Sequence, residues 1–130
     1  MKTITPEQMA KSGSEQSHQK AIFCWAALNF NKYPQLKFMY HIPNGGFRNV
    51  REAANLKAAG VRAGVPDIHL PAKCGQYGGL FIELKVKVGK TSPEQDIWLA
   101  YLNSNGYYAT VCHGWQEAVS VIENYLKLEG

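Results

Sequence analysis

Apolar residues recur along this chain at two periods, and the switches between them outline its elements. Ile22, Phe23, Trp25, Ala26 and Phe30 follow helical spacing. "SGSE" just before them reads as a capping box, with Ser12 as N-cap and Glu15 at the third helical position, so a helix is expected to about Asn31. "YPQ" breaks it. Leu36 to Pro43 reads as a strand, and "NGGFRN" as a loop. Val50 to Ala59 reads as a second helix stopped by Gly60. A short strand from Asp67 to Leu70, a glycine-rich loop and a longer strand from Leu80 to Val88 follow. "TSPEQD" is a helix start, with Ser92 as N-cap, Pro93 first and Gln95 third. That helix carries Ile97, Trp98, Tyr101 and Leu102 and stops at Gly106. Tyr107 to Cys112 reads as a last strand, and Trp115 to Leu126 as a last helix with Ala118, Val119, Ile122, Tyr125 and Leu126 on its apolar side.

The order α-β-α-β-β-α-β-α predicts a single α/β domain with a central mixed β-sheet flanked by helices. Residues 1–13 are expected to form a flexible arm and residues 14–130 the folded unit. The 130 residues suit one domain, and 45% hydrophobic with 18% charged residues suits a soluble globular chain. No apolar run approaches the ~18 residues of a membrane span, and the N-terminus has no apolar signal region. Cytoplasm is the expected location. Three cysteines, Cys24, Cys74 and Cys112, form neither a disulfide framework nor a zinc-binding pair. The formal charge of +4 permits a polyanionic partner without requiring one.

The chemistry centres on "GGLFIELKVKVGK", Gly78 to Lys90. Strand alternation points Leu80, Ile82, Leu84, Val86 and Val88 one way and Phe81, Glu83, Lys85 and Lys87 the other. Taken alone, the second set reads as an ordinary solvated face. Asp67, opening the preceding strand just after Pro66, changes that. Two adjacent antiparallel strands bring Asp67 and Glu83 together at one end. Two close carboxylates repel unless a cation lies between them, and an all-oxygen set suits Mg²⁺ or Mn²⁺. Lys85 on the same face then stands beside the metal. This is an arrangement for phosphodiester hydrolysis, with the lysine orienting water and offsetting charge.

"PD" followed by "ExK" is the signature of the PD-(D/E)xK nuclease superfamily. "HIPNGG", "AAGVRAGVPDIHLP", "GGLFIELKVKVGKTSPEQ" and "LNSNGYYATVCHGWQEAVSVIENYL" together resemble its VRR-NUC domain family, from about Ser14 to about Leu126. The resemblance is to a stand-alone, phage-like member with a restriction-endonuclease-like fold. It implies metal ligands at Glu15, Asp67 and Glu83 and at the backbone carbonyl of Leu84. It implies catalytic roles for Asp67, Glu83, Lys85, Glu15 and Gln95. Glu15 and Gln95 also read simply as capping residues. The family's second arginine is missing at Ala63, while Arg62 remains. Lys57, Arg62, Lys73, Lys87, Lys90 and Asn44 are the expected DNA contacts, with Phe47, Tyr77 and Trp98 as aromatics able to stack on bases. The implied activity is a Mg²⁺- or Mn²⁺-dependent, structure-selective DNA endonuclease leaving a 5′-phosphate. Its expected substrate is branched DNA, a four-way junction or a flap, and resolving a Holliday junction calls for a homodimer. A non-catalytic DNA-binding module on the same fold is the alternative, and a hydrolase of RNA or free nucleotides ranks third.

Overall fold

Every element that bears on the site is fixed by β3, Leu80–Lys85, which lies inside a four-stranded sheet of order β1-β2-β3-β4. A computed structural model describes residues 3–43 and 49–129 of the chain. The other strands are β1 (Tyr40–His41), β2 (Ile68–Leu70) and β4 (Tyr108–His113). β2 runs antiparallel to β3, pairing Ile68 with Ile82 and Leu70 with Leu80. β4 runs parallel to β3, pairing Glu83 with Val111 and Lys85 with His113. A parallel pair needs a crossover, and helix α4 (Pro93–Ser104) supplies it. The mixed α/β sheet expected from the element order is therefore present.

Helices α2 (Glu15–Leu28) and α5 (Trp115–Leu126) cover one face of the sheet. Ala21, Ile22 and Ala26 of α2 and Ala118, Val119, Ile122 and Tyr125 of α5 join Leu80, Ile82 and Leu84 in the main core. The small alanines let the helices lie close to the strands, and the branched side chains between them fill the space. α4 covers the opposite face, where Phe81, Leu102 and Ala109 form a smaller core with Trp98, Leu99 and Tyr107 packed on it. Burial raises the Cys112 thiol to about 12, so it is an inert core group. Among the described residues no helix is long and apolar enough to cross a membrane.

The elements differ from the sequence reading at several points, each with a local cause. Ser14, not Ser12, caps α2: its hydroxyl accepts from Ser17 N–H at 3.1 Å. Gly13, at φ +77°, turns the chain just before it, in a conformation open to glycine and strained for others. Glu15 is thus the first residue of α2 and not its third, so it takes no part in a capping box. α2 ends at Leu28, three residues early, with Asn29 as its cap. Pro34 starts a 3-10 helix, Pro34–Phe38, where a strand was expected, and leaves β1 only two residues. β3 ends at Lys85 rather than Val88, because Lys87 takes φ +54° in a turn. Within the first thirteen residues, α1 (Pro6–Met9) forms under a capping box of Thr5 and Gln8 and packs on α2, burying Pro6 and Ala10.

α3 (Val50–Ala58) buries none of its residues, but the chain leaving it packs closely. Gly64, at φ +91°, lies against the first turn of α4: a Cβ placed there would stand 2.7 Å from the carbonyl carbon and oxygen of Glu94. Gly64→Ala is therefore expected to destabilise the fold by about 2–3 kcal/mol, through both the clash and the positive φ. Gly106→Ala, also at positive φ but facing open space, is expected to cost about 1 kcal/mol. Urea denaturation of the two variants checks the difference.

Candidate active site

The sheet brings Asp67 to Glu83 through the β2–β3 register. Asp67 stands one residue before β2, and its carbonyl still accepts from Ile42 N–H at 2.7 Å. Its Oδ2 accepts from the backbone N–H of Leu84 at 2.8 Å. That bond fixes the Asp67 carboxylate against the strand residue that follows Glu83. Asp67 is 9% exposed and Glu83 only 1%.

This burial rules out the solvated face that β3 offers when read alone, in line with the acidic site that Asp67 pointed to. Phe81 packs into the smaller core and Glu83 is enclosed, because α4 covers the side on which both project. Lys87 lies outside the strand altogether. Alternation holds from Leu80 to Lys85, but it separates two covered faces.

α4 also supplies the partner that orients Glu83. Ser92 accepts from Gln95 N–H at 3.3 Å, and Gln95 Oε1 accepts from Ser92 N–H at 2.8 Å, completing the expected capping box. The other end of the same amide, Nε2, donates to Glu83 Oε2 at 3.0 Å. Gln95 thus caps its helix and holds the carboxylate with one side chain. Lys85 Nζ lies 3.5 Å from that Oε2, and the lysine side chain is 14% exposed.

Glu15 completes the group from α2. One carboxylate oxygen from each of Glu15, Asp67 and Glu83 lies within 4.8 Å of the others. As the first residue of α2, Glu15 has a side chain free of capping duty and turned toward the sheet end. Burial, and then the charge of Asp67, raise its carboxyl above the usual range, with Lys85 opposing.

The electrostatics show what these residues fit. Burial pushes the Glu83 carboxyl up to about 8, helped by the charge of Asp67 and by hydrogen bonding to it, with Lys85 opposing. Glu83 Oε1 is buried with no hydrogen-bond partner among the described residues. A lone carboxylate oxygen shut away from water is costly. A proton shared with Asp67 satisfies it, and so does a cation. Three carboxylates against one ammonium leave two surplus negative charges when all are ionised. An oxygen-only set with that surplus fits a hard divalent cation such as Mg²⁺ or Mn²⁺.

The expected DNA contacts separate by position. Lys87 and Lys90 are exposed just past β3, in the segment that follows Lys85. Arg62 is exposed two residues before Gly64, which abuts the first turn of α4, and Lys57 is exposed in the last turn of α3. Lys73 follows the far end of β2, beside a groove lined by Pro34, Gln35, Phe38 and Pro71. It stands away from the carboxylates. Asn44 and Phe47 lie outside the described residues. Tyr77 and Trp98 are partly buried against the two cores.

Two histidines passed over in the sequence reading hold the site's edges. His18 Nδ1 accepts from Trp115 N–H at 3.1 Å, tying α2 to the start of α5 one turn beyond Glu15. The i, i+3 spacing of Glu15 and His18 was the available signal. His113 Nε2 lies 2.9 Å from the carbonyl oxygen of Gly89 and braces the turn after β3. Its only sequence signal was its place at the end of a strand.

The VRR-NUC domain model matches residues 7–116. A solved VRR_NUC domain protein is 32% identical to the chain, with a TM-score of 0.76 over 88% of this chain and 89% of its own. No curated protein matches. The matched span takes in all four strands and the three clustered carboxylates, and the chain belongs to the VRR-NUC domain family, on a nuclease-like fold.

Proposed function

We propose that this protein is a divalent-metal-dependent endodeoxyribonuclease acting on branched DNA, a Holliday-junction resolvase working as a homodimer. The observation that carries the reading is the close group of Glu15, Asp67 and Glu83, the last two buried, with a Glu83 oxygen that has no partner among the described residues and Lys85 alongside. Glu15, Asp67 and Glu83, with the Leu84 carbonyl, would hold Mg²⁺ or Mn²⁺. Bound there, the metal supplies Lewis-acid polarisation of the scissile phosphate and a nucleophilic water at neutral pH.

The chain's own residues do the remainder. Leu84 N–H and the Gln95 amide fix the Asp67 and Glu83 carboxylates before substrate arrives, so little reorganisation is needed during reaction. The Lys85 ammonium offsets negative charge growing on the phosphate oxygens and orients the attacking water. Lys87, Lys90, Arg62 and Lys57 lie along the phosphate backbone, so binding weakens steeply with salt. Lys73, at the other end of β2, belongs to this track only if the DNA wraps past that end. Asn44, outside the described residues, would contact the substrate backbone. One chain carries one such site, and paired cuts in a four-way junction need two related by a two-fold axis.

Labelled four-way junction, flap and linear duplex incubated with Mg²⁺ or Mn²⁺ are expected to be cut, with the junction cut symmetrically. Asp67→Asn and Lys85→Ala are each expected to lower the rate by about 10²-fold or more. Binding without cleavage in either metal would leave the alternative, a DNA-binding module.

Light scattering on a sizing column is expected to give twice the 14.5 kDa chain mass at micromolar concentration. A 14.5 kDa species would remove the dimer.

The site also sets the pH dependence of stability. Burial lets Glu83 hold its proton to about 8 when folded, against 4.5 for an ordinary glutamate. Between those values the folded chain keeps a proton that the unfolded chain has released, so rising pH favours unfolding. In EDTA, melting temperature is expected to fall across that interval, and Glu83→Gln is expected to remove this component of the fall. Added Mg²⁺ is expected to raise the melting temperature more at pH 8 than at pH 6, since less proton must be displaced. Scanning fluorimetry across pH reads all three.

A further inference from the structure

The chain reverses at once after Lys85, and the reversal is held at three points. Gly89 N–H donates to the Val86 carbonyl at 3.0 Å, closing a four-residue turn. Gly89 lies on the stem of Lys85: a Cβ built there would meet Lys85 Cβ and Cδ at 3.5 and 3.6 Å, and the Val86 oxygen at 3.1 Å. His113 Nε2 reaches the Gly89 carbonyl oxygen at 2.9 Å. A carbonyl only accepts, so this nitrogen carries the proton. The backbone N–H of His113 in turn donates to the Glu117 carboxylate, which ties the brace to α5.

This braced turn presents an unusual tip. Lys87 adopts φ +54°, a conformation disfavoured for residues with a Cβ. It leaves Val88 88% exposed, the most exposed of the large apolar side chains described. Lys87 and Lys90, both exposed, flank it. One exposed valine alone means little. Here it projects from a fixed turn seated on Lys85, between two cations. A nucleic-acid backbone drawn to Lys85 would meet those cations on either side of Val88.

We infer that residues 86–89 form a wedge, with Val88 pressed into an opened base step at a branch point and Lys87 and Lys90 on the adjoining phosphates. The inference rests on the nuclease reading above and adds to it the source of selectivity for branched DNA. Apolar side chains pushed between base steps unstack them, which is easiest where pairing is already interrupted. A turn fixed beforehand loses little freedom on binding. Val88 therefore favours a junction over intact duplex without reading sequence.

The test uses the full chain carrying Asp67→Asn, with Mg²⁺, on a four-way junction containing 2-aminopurine beside the branch. Binding is expected to raise 2-aminopurine fluorescence as the base unstacks. Val88→Ser is expected to remove most of that rise, and His113→Ala part of it. His113→Gln, whose amide also donates, is expected to restore it. In chains with Asp67 intact, Val88→Ser is expected to lower the ratio of junction to duplex cleavage about fivefold. Val88 is exposed, and a thermal melt checks that the variant folds as the parent does. Binding with no fluorescence rise, or Val88→Ser indistinguishable from its parent in both assays, would sink the wedge. If such a chain still cuts DNA, the nuclease reading stands without it. A chain that neither binds nor cuts DNA overturns both.

Discussion

The enclosure of the Glu83 carboxylate governs the arrangement of this molecule. A carboxylate 1% exposed in the middle of a sheet is a costly thing to keep. Gln95 and Lys85 offset part of the cost at one oxygen, while Asp67 adds to it. The layer that encloses Glu83 is α4, so the crossover helix is as much a part of the site as the strand. Gly64 lets the chain entering β2 approach the first turn of that helix. The buried carboxylates are thus placed against the stability of the fold, as expected where electrostatics serve chemistry.

The two faces of β3 divide the work. Leu80, Ile82 and Leu84 point into the large core and anchor the strand. Phe81 and Glu83 point toward α4, one into apolar packing and one into the acidic group. Each strand partner fixes one further piece. β2 delivers Asp67 through an antiparallel register, and β4 delivers His113 opposite Lys85 through a parallel one. A one-residue slip on either side would turn the wrong side chain toward the carboxylates.

Much of this was legible in the residues. Ser92, Pro93 and Gln95 mark a helix start by local chemistry alone, and the structure has that start. The nearness of Asp67 and Glu83 follows from two antiparallel strands joined by a glycine-rich loop. What stayed hidden depends on tertiary cover. Period-two alternation tells that Glu83 lies opposite Ile82 and Leu84, but not that a helix closes over it. Ser12 and Ser14 are equally good caps on paper, and the left-handed Gly13 between them decides. The lysines near Glu83 in sequence are not all near it in space: the turn after Leu70 carries Lys73 to the other end of the sheet. The hold of His113 on Gly89 joins residues 24 apart and leaves no local trace.

The cap of α2 has a dynamic consequence. Glu15 sits in the first helical turn, where helices open most readily, and the Ser14 hydroxyl with its bond to Ser17 N–H closes that turn. Asp67 and Glu83 belong to the sheet and stay in place when a helix end frays. Of the three carboxylates, Glu15 alone leaves with the opening of a single turn. The acidic group is thus a fixed pair plus a latch, and any ligand that engages all three also quiets the first turn of α2.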